Sequence, residues 1–199
     1  MGRSRGFDVD ERLDRALAVF WRQGYEGTAL SDLTEAMGVN RPSLYATYGN
    51  KQSLFRKAFE RYLDGPAAHI RTAFDQPTAL AVTETLLRGA VDVATTPEGP
   101  GGCLMVQGAL VTGTQGEPVR EELAALRRAA EAGLRERFER ARAEGDLPAS
   151  ANPAALARYV WAISYGISVQ AANGAPRHEL RAMVDLALQA WPPASGSSP

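Results

Sequence analysis

TALSDLTEAMGVNRPSLYATYGNKQSL, residues 28–54, holds two short helices and a tight turn between them. Leu30, Leu33 and Met37 recur at helical spacing behind Thr28, which can cap the first helix. Gly38 ends that helix and supplies the backbone conformation a right-angled helix pair needs, while Val39 fills the gap between the two. Asn40 can cap the next helix, through Tyr48, and Asn50 the one that starts at Lys51. Leu33, Leu44 and Tyr48 can pack together over Phe20, which leaves the opposite face of residues 40–48 polar.

That polar face carries Arg41, Ser43 and Thr47, with Tyr45 beside them and Pro42 in the first turn. An arginine can read guanine edges or hold a phosphate, hydroxyls can hold phosphates, and tyrosine adds an aromatic ring with a donor. Lys51 joins a cation to the unpaired N–H groups and positive dipole end of a helix start, a combination suited to a phosphate. Thr28 offers the same one helix earlier. The expected DNA contacts are therefore Thr28, Arg41, Pro42, Ser43, Tyr45, Thr47 and Lys51. Arg3 and Arg5 are either an arm toward the minor groove or a frayed end.

Working outward, Asp8 with Glu11 resembles a capping box ahead of Leu13, Leu17, Phe20 and Trp21, and Gly24 is a natural stop. Downstream, the helix from Lys51 is expected to run to Phe74, and Pro77-Thr78 to open another that ends near Thr96. Residues 97–102, PEGPGG, read as a loop and residues 103–112 as a short apolar helix. Pro118 opens a long amphipathic helix with Val119, Leu123, Leu126, Ala130, Leu134, Phe138 and Ala141 inward; the charges of residues 135–144 form its solvated face. Pro153–Ala172 is apolar over most of its circumference, so it must be covered on nearly all sides. A last helix carries Leu180, Val184, Ala187 and Trp191 on one side, and residues 192–199 read as a disordered tail. The fold class is all-α, about nine helices by their periodicity and caps. Residues 1–50 form a three-helix helix-turn-helix head, and residues 51–191 a helical effector-binding and dimerisation domain.

Composition narrows the function. The chain has 22 Lys and Arg against 23 Asp and Glu, but the basic excess falls in its front third, which points to an anionic partner there. Cys103 is the only cysteine, so no intrachain disulfide or Cys-rich zinc site can form, and a cytoplasmic setting is expected. No apolar run suggests a signal peptide or a membrane span. His69 and His178 lack ligand-spaced partners, so neither a metal nor a cofactor is expected, and their roles read as solvated or capping. No nucleotide-binding or hydrolase motif occurs, so an enzyme is not expected. Cys103, Met105, Trp161 and Tyr165 are candidates to line a ligand site, and Ile163, Ile167, Val184 and Leu188 a dimer interface. Cys103 reads either as a small buried hydrophobe or, at a helix start, as a reactive thiol.

The pattern G-Y-x-x-T, then L-x-x-A-M-G-V-x-x-x-x-L-Y-x-x-Y-x-x-K-x-x-L, resembles the N-terminal domain of TetR/AcrR-family transcriptional regulators. Gly24, Tyr25, Thr28, Gly38, Val39, Leu44, Tyr45, Lys51 and Leu54 stand where that motif has them. Tyr48 replaces a commoner Phe, and Thr47 a frequent His or other bulky residue. The resemblance implies a homodimer on a near-palindromic double-stranded operator, with repression released by a small, largely apolar molecule. Two rivals remain: a ligand-independent architectural DNA binder and a helical interaction protein whose head no longer binds DNA. An electrophile or oxidant sensor acting through Cys103 is a further alternative.

Overall fold

The computed structural model describes residues 5–97, 99–106 and 116–193, with side chains from Val9 onward. Among the described residues every regular element is helical: α1 (Arg5–Gly27), α2 (Leu30–Met37), α3 (Arg41–Tyr48), α4 (Lys51–Asp64), α5 (His69–Phe74), α6 (Ala79–Ala94), α7 (Glu117–Ala143), α8 (Pro153–Ala172) and α9 (Arg177–Gln189). Residues 104–106 are also helical. Most of the expected helix on residues 103–112, the arm at Arg3 and Arg5, and the tail beyond Pro193 lie outside the described side chains.

The chain forms two compact units, and neither is continuous in sequence. One comprises Met1–Pro66 with Leu104–Leu123, the other Ala67–Cys103 with Ala124–Pro199. The expected boundary at residue 50 therefore falls inside the first unit, because α4 and the start of α7 belong with the head. The chain crosses between units within α7, after Leu123.

In the first unit, Ala16, Leu17, Phe20 and Trp21 of α1 are buried with Leu33, Met37, Leu44, Leu54, Phe55, Ala58 and Tyr62. Phe20 meets Phe55 edge-on at 5.1 Å, and Trp21 meets Tyr62 edge-on at 4.8 Å. Gly24 breaks α1 with φ 71° and ψ 172°, a backbone state that a side chain would strain. Arg61 holds Asp14 through two contacts of 2.8 and 2.9 Å.

The second unit packs α6, α8, α9 and the C-terminal half of α7 around Leu86, Leu87, Leu134, Phe138, Val160, Trp161, Ile167 and Val184. Thr78 and Asn152 cap α6 and α8, accepting from the Ala81 and Ala155 amides. The continuous helix expected from Lys51 to Phe74 is interrupted at Gly65-Pro66, since Pro66 has no N–H to give and disfavours helical backbone at the residue before it. Gly65 accordingly has φ −108° and ψ −98°.

Four further expectations need correction. Ile167 and Val184, assigned to an interface, are fully buried in the chain's own core and have no surface to offer a partner. Ile163 and Leu188 are partly buried against that same core. Leu126, placed on the inward stripe of α7, is exposed. Arg137, read as part of a solvated face, is only 6% exposed and donates to the Gln76 and Pro77 carbonyls at 2.8 and 2.9 Å, tying the turn before α6 to α7. His69 is half-buried against Gly89, where a Cβ would come within 2.2 Å of the imidazole.

Candidate nucleic-acid interface

α3 is built to present one face. Asn40 caps it by accepting from the Ser43 amide at 2.9 Å, and Pro42 stands in the first turn, where its missing N–H costs nothing. Between α2 and α3, Gly38 adopts φ 63° and ψ 39°, and its amide closes back on the Glu35 and Thr34 carbonyls. Leu44 and Tyr48 turn inward. The Tyr48 hydroxyl donates to the Val9 carbonyl at 3.2 Å, which ties α3 to α1 through a bond a phenylalanine could not make.

Arg41, Pro42, Ser43, Tyr45 and Thr47 are all exposed, so the structure brings together five of the seven expected DNA contacts on the outer side of α3. Lys51 is the first residue of α4, whose cap Asn50 accepts from the Ser53 amide at 2.8 Å. Its ammonium lies 4.6 Å from the centroid of the Tyr25 ring, a cation–π contact that steadies the long side chain. Partial burial pulls the Lys51 pKa down, opposed by the carboxylates of Glu26 and Asp32. A phosphate would bring that site a third anionic partner and favour the charged form further.

Thr28 departs from expectation. Its side chain is 1% exposed, and its hydroxyl donates to the Gly24 carbonyl at 2.6 Å. It plugs the break in α1 instead of capping α2 or facing solvent. The cap falls to Ala29, whose amide donates to the Asp32 carboxylate at 3.1 Å. Thr28 is therefore a structural residue, and its side chain cannot reach a phosphate.

Two contacts were not anticipated. Glu26 accepts from the Gly116 amide at 2.8 Å, and a Cβ on Gly116 would lie 2.5 Å from that carboxylate. Arg56 of α4 grips Glu122 of α7 through its Nε at 2.9 and 3.1 Å. Both join segments ninety and sixty-six residues apart in sequence, a separation that local pattern does not carry.

Of the expected ligand-site residues, Trp161 and Tyr165 stack on α8 with ring centroids 5.9 Å apart. Cys103 is half-buried rather than enclosed, and its thiol is in no disulfide. Met105 is buried in the first unit. Among the described residues no cluster of His, Cys, Asp and Glu could hold a metal ion, and no helix is long and apolar enough to cross a membrane.

Two family models match the chain: "Bacterial regulatory proteins, tetR family" over residues 13–58, and "Tetracyclin repressor-like, C-terminal domain" over residues 79–188. The second alone spans more than half of the sequence. The chain belongs to the TetR family. This TetR-family regulator is 31% identical over 193 residues to the HTH-type transcriptional repressor ComR of Escherichia coli (strain K12), covering 96% of this chain and 92% of the relative. Its fold matches a cysteine mutant of the TetR family transcriptional regulator CifR, solved with 26bp double-strand operator DNA, at a TM-score of 0.88 and 43% identity, over 96% of this chain and all of the other. A putative TetR transcriptional regulator from Rhodococcus sp. RHA1 is also 43% identical, with a TM-score of 0.62 over 92% of this chain and 99% of that one. The chain is thus a DNA-binding transcriptional regulator.

Proposed function

We propose that the chain is a homodimeric repressor whose two heads enter successive major grooves of a near-palindromic operator and leave it when a small, largely apolar ligand binds the second unit. The observation that carries the DNA half is the outer face of α3, where Arg41, Ser43, Tyr45 and Thr47 are exposed while Leu44 and Tyr48 anchor the helix from beneath. The ComR name and the operator complex of the CifR mutant agree with it. Such heads must stand about 34–36 Å apart, one helical turn of DNA, so a ligand preferring another spacing lowers operator affinity by its differential binding to the two states. A repressor of this kind would work in the cytoplasm, where its operator is.

Dimerisation is supported by apolar surface that the chain leaves outside its own core: Tyr159 and Val169 on α8 and Leu186 on α9, the last 66% exposed. These replace Ile167 and Val184 as the candidate interface.

The test is operator selection from random duplexes followed by two substitutions. Arg41→Ala is expected to weaken operator binding by about 1–3 kcal/mol and to relax base preference at its contact. Unchanged affinity and preference would make Arg41 a solvated side chain. Lys51→Ala should weaken binding to all sequences alike and lower the salt slope by about one, as loss of a phosphate contact does. A sequence-dependent loss at constant slope would remove Lys51 from the backbone contacts. No enrichment of any sequence by the parent protein would favour an architectural binder.

A further inference from the structure

Trp161 and Tyr165 stand one turn apart on α8 with their ring planes inclined by 27°. Trp161 is 4% exposed, and its indole Nε1–H has no acceptor among the described residues. A buried donor without an acceptor costs stability. The fold itself gains nothing from the N–H. Beside it, the Tyr165 hydroxyl has its pKa pushed up to about 12, chiefly by burial, with the Arg127 charge opposing and Cys103 and Glu131 adding. It therefore remains a neutral O–H donor at physiological pH. Glu131 is itself held by Arg158 at 2.9 Å.

We propose that Trp161 and Tyr165 form a two-donor subsite for a largely apolar small molecule with one neutral acceptor oxygen, such as a ketone, an ester or an ether. The subsite rests on the reading of the second unit as the effector domain and specifies the chemistry that domain recognises. Val160 and Ile167 of the same helix belong to the same buried apolar core. Two neutral donors suit a carbonyl oxygen, which accepts a hydrogen bond from each.

The experiment uses the full-length chain labelled with nitrogen-15. Its three tryptophans, Trp21, Trp161 and Trp191, give three indole N–H signals, and Trp161→Phe assigns one of them. Acetophenone and ethylbenzene, similar in shape but differing in the carbonyl, are titrated separately, with cyclohexanone as a second acceptor. Either ketone should move the Trp161 signal downfield to saturation and leave Trp21 and Trp191 in place, while ethylbenzene should not. Trp161→Phe should bind the ketone about five- to tenfold more weakly, as loss of one hydrogen bond implies. Tyr165→Phe should weaken it several-fold. An unmoved Trp161 signal with both ketones, or equal movement with ethylbenzene, would each overturn the subsite. Operator release is followed separately by fluorescence anisotropy. Ketone binding at Trp161 without release would sink the effector reading alone, and release with an unmoved indole would sink the subsite alone.

Discussion

Ile167→Asp is expected to unfold the second unit and not to yield a folded monomer. Ile167 is fully buried among the side chains of α6, α8 and α9. Removing its side chain forfeits about 2–5 kcal/mol, and a carboxylate with no partner in that core adds several more. The sum rivals the whole stability of a domain, about 5–15 kcal/mol. Calorimetry should show the cooperative transition of that unit lost or displaced below ambient temperature. Leu186→Asp supplies the contrast, because at 66% exposure the new charge stays in water and the melting temperature should hold. If the outer face of α8 and α9 joins two copies, sedimentation should find Leu186→Asp folded and monomeric. A well-folded Ile167→Asp would place residue 167 at a surface, and a Leu186→Asp dimer of parental strength would move the interface elsewhere.

Phe20→Ala should abolish operator binding without touching any exposed residue of α3. Phe20 is fully buried, edge-on to Phe55 at 5.1 Å and stacked with Tyr25 at 6.4 Å. Tyr25 in turn carries the Lys51 ammonium. Emptying that position costs about 3–5 kcal/mol and loosens the base on which α3 and the Lys51 clamp depend. Anisotropy with operator DNA should show binding lost at 37 °C, while the helical signal of the second unit persists on heating. Parental affinity together with a parental melting curve would show the head tolerating the hole.

The head was legible because its signals are local. Gly38 turns where a glycine was required, Asn40 and Asn50 cap where capping residues stood, and Leu44 and Tyr48 take the inward side of α3. Thr28 misled because a threonine before a helix can cap it or turn back, and the break at Gly24 leaves a carbonyl that draws the hydroxyl inward. The break at Gly65-Pro66 was present in the sequence, but the apolar periodicity on either side outweighed it. The inner and outer faces of α8 could not be told apart. A helix that is apolar all round has no phase, so Ile167 and Val169 look equivalent until neighbouring helices bury one and expose the other. Arg137 shows the opposite failure: surrounded by charges, it reads as surface, yet two carbonyls from residues 76 and 77 take it inside.

The pairing of Met1–Pro66 with Leu104–Leu123 also orders events at the ribosome. When residue 66 emerges, α1 to α4 are present, but Glu26 and Arg56 still lack Gly116 and Glu122, their partners across the unit. Residues 67–103 must be synthesised first, and the intervening chain must then be closed as a loop at an entropic cost. At about 5–20 residues per second, the unfinished head waits several seconds for its second segment. Translation that stalls anywhere in that interval would leave a chain carrying the whole exposed face of α3 on a scaffold not yet closed, and this is the window in which chaperones or proteases would find it.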